Sequence, residues 1–111
     1  MKPINEDHSR WVPQPPDLSE VELTPQLEQL TEQLAKGIHD IWAQTRIRDG
    51  WSYGPNRNDD LKQTPCLVPY EALPEEEQFY DRIIAERTLR MILKFGYEIR
   101  SPRADSDRQP D

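Results

Sequence analysis

His39-Asp40-Ile41-Trp42-Ala43-Gln44-Thr45-Arg46-Ile47-Arg48-Asp49-Gly50-Trp51-Ser52-Tyr53-Gly54-Pro55-Asn56-Arg57 holds the end of a helix, its stop signal and the chain that leaves it. Upstream of it, Leu27, Leu30, Leu34, Ile38, Ile41 and Thr45 recur at three- and four-residue spacing. That period places them in one apolar stripe on a helix. Thr24 is the expected N-cap, Pro25 suits the first helical position, and Gly50 is the expected C-terminal stop. The pattern predicts a helix over about 25–49. Gly37 inside it costs about 1 kcal/mol relative to alanine, so it marks either a close approach or a tolerated position.

A second helix is predicted over about 74–95. Pro74 opens it, and Glu75, Glu76 and Glu77 set negative charge at the positive end of the helix dipole. Its expected buried face is Tyr80, Ile83, Ile84, Met91, Ile92 and Phe95, closed by Gly96. Between the helices lies irregular, proline-rich chain with short strands expected near Trp51–Tyr53 and Cys66–Val68. Tyr97-Glu98-Ile99 alternates and offers a third. The fold class is therefore mostly α (α+β): two antiparallel-type helices flanking short β-strands and a proline-rich loop.

Composition divides the chain further. Of 111 residues, 34% are hydrophobic, and 21 acidic side chains outnumber 14 basic ones for a net charge of −7. A globular domain is about 45–50% apolar on a count that includes glycine, so part of this chain lies outside any core. Residues 1–23 read as a proline-rich acidic arm with Pro3, Pro13, Pro15 and Pro16. Their few apolar groups cannot offset the entropy of ordering. Residues 101–111 are polar and read as a disordered tail. Residues 24–100 keep nearly all the large apolar side chains. An acidic chain lacks the cations that neutralise phosphate, which argues against duplex nucleic acid and against a polybasic membrane-surface role. No apolar run approaches the roughly 20 residues of a membrane span, and no signal peptide is visible, so a cytoplasmic protein is expected.

Chemistry-bearing constellations are few. His8 and His39 are far apart, and Asn56, Asn58, Asp59 and Asp60 lack the ligand spacing of a calcium loop, so no metal is expected. Cys66, the one cysteine, stands between Pro65 and Leu67, as an inert small hydrophobe does. No phosphate-gripping glycine loop or nucleophile elbow occurs. The acids at 75–77 read as a helix start. No cofactor and no enzymatic activity are expected.

What remains is the opening stretch. His39, Trp42 and Arg46 share a helical face, and Trp51, Tyr53 and Arg57 follow directly. Flat aromatic faces beside guanidinium forks suit a planar base and an anionic group. The same side chains also suit a purely structural cluster, with the arginines paired to Asp49, Asp59 or Asp60.

The run His39, Trp42, Arg46, Ile47, Gly50-Trp51, Tyr53-Gly54-Pro55 and Arg57 resembles the RyR domain, the repeat of ryanodine receptor channels that also occurs as isolated single-copy prokaryotic and phage modules. The likeness continues through Asp59-Asp60, Lys62, Pro65-Cys66-Leu67-Val68-Pro69-Tyr70 and Leu73-Pro74. It reaches Tyr80-Asp81-Arg82, Thr88-Leu89 and Gly96-Tyr97, covering about residues 30–99. It departs at Thr64, where the family usually has histidine, which puts any role of that imidazole in doubt. The resemblance implies two helices flanking short strands and assigns 24–100 as the RyR-type domain. In the channels one pair of repeats binds an adenine nucleotide, and prokaryotic members look like sensors of nucleotide-derived ligands.

The expectation that follows is a non-enzymatic binding module for a small nucleotide-like ligand, not itself a calcium channel. His39, Trp42, Arg46, Trp51, Tyr53 and Arg57 are its candidate ligand-binding residues. The alternative is a protein-interaction or assembly module whose aromatic cluster is structural. The leucine stripe begins ahead of the stretch that resembles the repeat, so its first turns need a cover. Either the arm supplies it through Trp11 and Val12, or a second copy of the chain does, the homodimer being favoured.

Overall fold

A computed structural model describes residues 7–102. The element order is α1 (Pro25–Arg48), β1 (Ser52–Tyr53), β2 (Gln63–Thr64), a single 3-10 turn (Tyr70–Ala72) and α2 (Glu75–Lys94). The fold is mostly helical with a two-stranded sheet. Residues 1–6 of the arm and 103–111 of the tail lie outside the described residues.

Both helices begin and end where the sequence places their signals. The hydroxyl of Thr24 accepts the Leu27 N–H at 3.2 Å, and Pro25 follows at a position where no donor is needed. At the other end Gly50 takes φ +96°, which a side chain resists. Its N–H donates to Ile47 O, and the Trp51 N–H reaches back to Arg46 O at 2.9 Å. That pair of bonds is a Schellman closure, and it brings Trp51 back over the last turn of the helix. Gly96, also at φ +96°, closes α2 the same way, with Tyr97 N–H donating to Ile92 O at 3.1 Å.

The helices run antiparallel. Glu28 and Thr31 of α1 border the same groove as Glu86 and Arg87 of α2, while Trp42 shares a cavity with Glu77. The buried faces differ from the predicted ones. On α1, Ala35 and His39 are buried and Ile41 is exposed, so the inward stripe is turned by about one residue. On α2, Ala85 and Leu89 are buried, whereas Tyr80, Ile84 and Phe95 are exposed. Polar groups set this rotation. Gln78 donates to Tyr70 O at 3.0 Å and Leu73 O at 3.2 Å, and Arg82 reaches the Tyr70 hydroxyl at 3.4 Å. Gln78, Arg82, Ala85 and Leu89 therefore face inward at four- and three-residue spacing, a stripe that hydrophobicity alone does not mark. Ala35, Tyr70 and Leu73 form the core cluster, with Cys66 and Val68 packed on it.

The strands also depart from expectation. β1 pairs in parallel with β2, Ser52 opposite Gln63 and Tyr53 opposite Thr64. Cys66–Val68 is not a strand. It lies between Pro65 and Pro69, and the Val68 carbonyl is taken by a side chain instead of a ladder. Tyr97–Ile99 is not a strand either, because the Tyr97 amide closes α2. A Cβ on Gly54 would stand 2.8 Å from the Gln63 Cβ, so only glycine admits this close approach. Lys62, at φ 54°, donates from Nζ to Asp49 O at 2.9 Å and sets a cation on the negative end of α1. The arm does not lie down through Trp11 and Val12, which are exposed; Leu18, Val21 and Leu23 are half-buried instead.

A methyl group at Gly37 would meet nothing within 4 Å, so this glycine is tolerated rather than required. Gly37→Ala should raise unfolding stability by about 1 kcal/mol in urea melts. Gly50→Ala should lower it, because alanine at that positive φ is strained.

Candidate functional site

The site is assembled from the middle of α1, the loop that follows and the first turns of α2. His39 is only 4% exposed. Its Nε2 donates to the Val68 carbonyl at 2.7 Å, so that carbonyl fixes a hydrogen on Nε2 and the plane of the ring. The imidazole stacks on Trp42 at 5.6 Å between centroids and 26° between planes. The Arg46 guanidinium follows, 5.6 Å from the Trp42 ring centre and 5.7 Å from that of Trp51. Arg57 stands 5.7 Å from the Trp51 ring in turn. One column thus runs His39, Trp42, Arg46, Trp51, Arg57. Each cation–π contact in it contributes about 0.5–1 kcal/mol at an exposed position. The Schellman closure after Arg48 makes the column possible, because it returns Trp51 over Arg46.

Beside the column lies a cavity of about 300 Å³. From α1 it is lined by His39 and Trp42, and from the loop by Arg57, Thr64, Cys66 and Leu73. Its third wall is the first part of α2, through Glu77, Tyr80 and Asp81. Of the six residues singled out in the sequence, His39, Trp42 and Arg57 line the cavity. Arg46 and Trp51 stand in the column and do not line the cavity, and neither does Tyr53, which is exposed on β1 opposite Thr64. The Arg57 Nε also donates to Asp59 Oδ1 at 2.8 Å in an exposed pair, which keeps the guanidinium charged and oriented.

Sequence reasoning missed the α2 wall. Glu77, Tyr80 and Asp81 lie at i, i+3 and i+4 and share a face, but the acids at 75–77 read as a helix start and Tyr80 as core. Thr64, where the family usually has histidine, is buried at the cavity and its hydroxyl accepts the Cys66 N–H at 3.2 Å. The Cys66 thiol lies 3.6 Å from Glu77 Oε1. Burial, and then the Glu77 charge, push that thiol up, so it stays protonated. Asp81 Oδ2 is 3.8 Å from His39 Nδ1, too far for a hydrogen bond. Burial raises the Asp81 carboxyl; His39 draws it down and Glu77 adds to the rise. Among the described residues, no three His, Cys, Asp or Glu side chains converge as metal ligands, and no helix is long and apolar enough to cross a membrane.

The raised Asp81 carboxyl has a measurable consequence. The folded protein holds that proton to higher pH than the unfolded chain does. The associated stability is complete below the ordinary carboxylate value near 3.8 and is lost as pH rises through the raised one. Asp81→Asn removes this dependence. Urea melts from pH 3 to 7 should therefore show the variant gaining on the parent chain as pH rises, and parallel curves would contradict this origin of the shift.

The RyR domain family model matches residues 11–101. The match extends beyond the stretch 30–99 on both sides and takes in part of the arm, α1, the strands, the cavity loop and α2. Every residue of the stacked column and of the cavity lies inside it. The chain belongs to the RyR domain family.

Proposed function

We propose that this domain is a non-enzymatic binding module that takes a small nucleotide-like ligand in the cavity between α1 and α2. The observation that carries the proposal is the pairing of an indole wall with a guanidinium at one cavity. Trp42, sandwiched between His39 and Arg46, lines the cavity with the rest of its indole, against which a planar base can pack edge-to-face. Arg57 lines the same cavity and meets the anionic part. The volume of about 300 Å³ is at the lower end for small-molecule pockets and suits one base rather than two. His39 holds the wall in place through Val68. A soluble cytoplasmic sensor is the setting this reading implies.

A second reading has its own observation. Phe79, Ile84 and Phe95 of α2 are exposed, which suits a protein-interaction module and includes pairing with a second copy of the chain. Light scattering across the micromolar range reads that out independently of any nucleotide.

The test of the first reading is calorimetric titration with a panel of nucleoside monophosphates. A ligand at 100 times its dissociation constant stabilises the fold by about 2.7 kcal/mol. Arg57→Ala should weaken binding by about tenfold or more while leaving the melting temperature of the free protein within a degree or two. No saturable binding of any nucleotide up to millimolar concentration, or equal affinity in the variant, would overturn the proposal.

A further inference from the structure

The α2 wall of the cavity carries information that the indole and guanidinium do not. The Asp81 side chain is 19% exposed, and among the described residues neither of its oxygens accepts a hydrogen bond. His39 Nδ1 stands 3.8 Å from Oδ2, beyond hydrogen-bond distance. The other nitrogen of that ring is committed to Val68. Glu77, one helical turn before Asp81, receives among the described residues only the weak thiol donor of Cys66 at 3.6 Å. The hydroxyl of Thr64 is engaged with the Cys66 amide. This wall is thus rich in acceptors and short of protein donors, and its carboxylates are left to whatever occupies the cavity. A ligand that brings donors is what the wall lacks.

The base that supplies them follows from hydrogen-bond chemistry. A carboxylate with both oxygens free takes two parallel N–H groups side by side, as it does from an arginine fork. Guanine presents such a pair on its Watson–Crick edge, the ring N1–H next to the exocyclic amino group. Adenine sets its amino group beside a ring nitrogen lone pair, which would face the carboxylate with like polarity. Cytosine does the same, and uracil flanks its single N–H with two carbonyl oxygens. Resting on the nucleotide reading above, we infer that Asp81 is the base-selecting acceptor of this cavity and that the ligand is a guanine nucleotide. Its base packs against the part of Trp42 that lines the cavity, with the N1–H and amino edge on Asp81. Glu77 stands beside it as a second acceptor for the amino group, and the phosphate lies on the Arg57 side.

The test is calorimetric titration of the full chain with guanosine, inosine and adenosine monophosphates. Inosine monophosphate keeps the ring N1–H and lacks only the amino group. The expected order is guanosine, then inosine, then adenosine monophosphate, with about tenfold or more between the first and the last. In Asp81→Asn, an isosteric change checked for folding by its melting curve, the preference for guanosine over adenosine monophosphate should collapse. The three-ligand series on the unmodified chain stands without the variant. Equal affinities, or adenosine monophosphate binding more tightly, would overturn the guanine assignment and leave the nucleotide reading intact. Absence of binding by all three would overturn both.

Discussion

The hydrogen bond from His39 Nε2 to the Val68 carbonyl, at 2.7 Å, is the constraint from which the rest of the site follows. It ties the middle of α1 to the loop just ahead of the 3-10 turn. It also satisfies a carbonyl that the proline-bounded segment has withdrawn from any sheet. With one nitrogen committed, the ring plane is set, and Trp42 one turn later stacks on it. Arg46 then lies against Trp42, Gly50 turns the chain, and Trp51 comes back over Arg46. Each contact is modest alone. Together they convert a helix end into a rigid wall whose position depends on a buried histidine.

The opposite side of the cavity is held by a different kind of contact. Gln78 and Arg82 clamp the 3-10 turn to α2, and the Lys36–Glu71 pair at 2.7 Å ties that turn to α1. Burial keeps the Tyr70 phenol protonated, so its hydroxyl stays available within this network. The polar clamp sets the rotation of α2 and so presents Glu77, Tyr80 and Asp81 to the cavity. A chain with net charge −7 thus sets one guanidinium on the loop side of the cavity and two carboxylates on the helix side. That separation favours a ligand with an anionic end and a donor-bearing end over one with uniform charge.

Much of this architecture was legible in the sequence, because local rules governed it. Thr24, Pro25, Gly50 and Gly96 mark helix ends through backbone geometry that hardly depends on the rest of the fold. The aromatic and arginine residues of the column were readable from spacing. The buried faces were not, since burial of Ala35 and His39 and exposure of Ile41 depend on partners distant in sequence. The acceptor wall was hidden for the same reason. Glu77 and Asp81 look like ordinary acids of a solvated helix until the loop carrying Thr64 and Cys66 covers them. β2 fell ahead of its expected place because pairing with β1 was decided by the close approach at Gly54, not by the apolar run Cys66–Val68.

Nitrogen-15 NMR of the His39 imidazole, correlated across the hydrogen bond to the Val68 carbonyl carbon, tests the keystone role most directly. The expected result is a persistent Nε2–H resonance, coupled to Val68 and protected from solvent exchange on the scale of the Ala85 and Leu89 amides. An imidazole that exchanges rapidly, or carries its hydrogen on Nδ1 with no coupling to Val68, would contradict it.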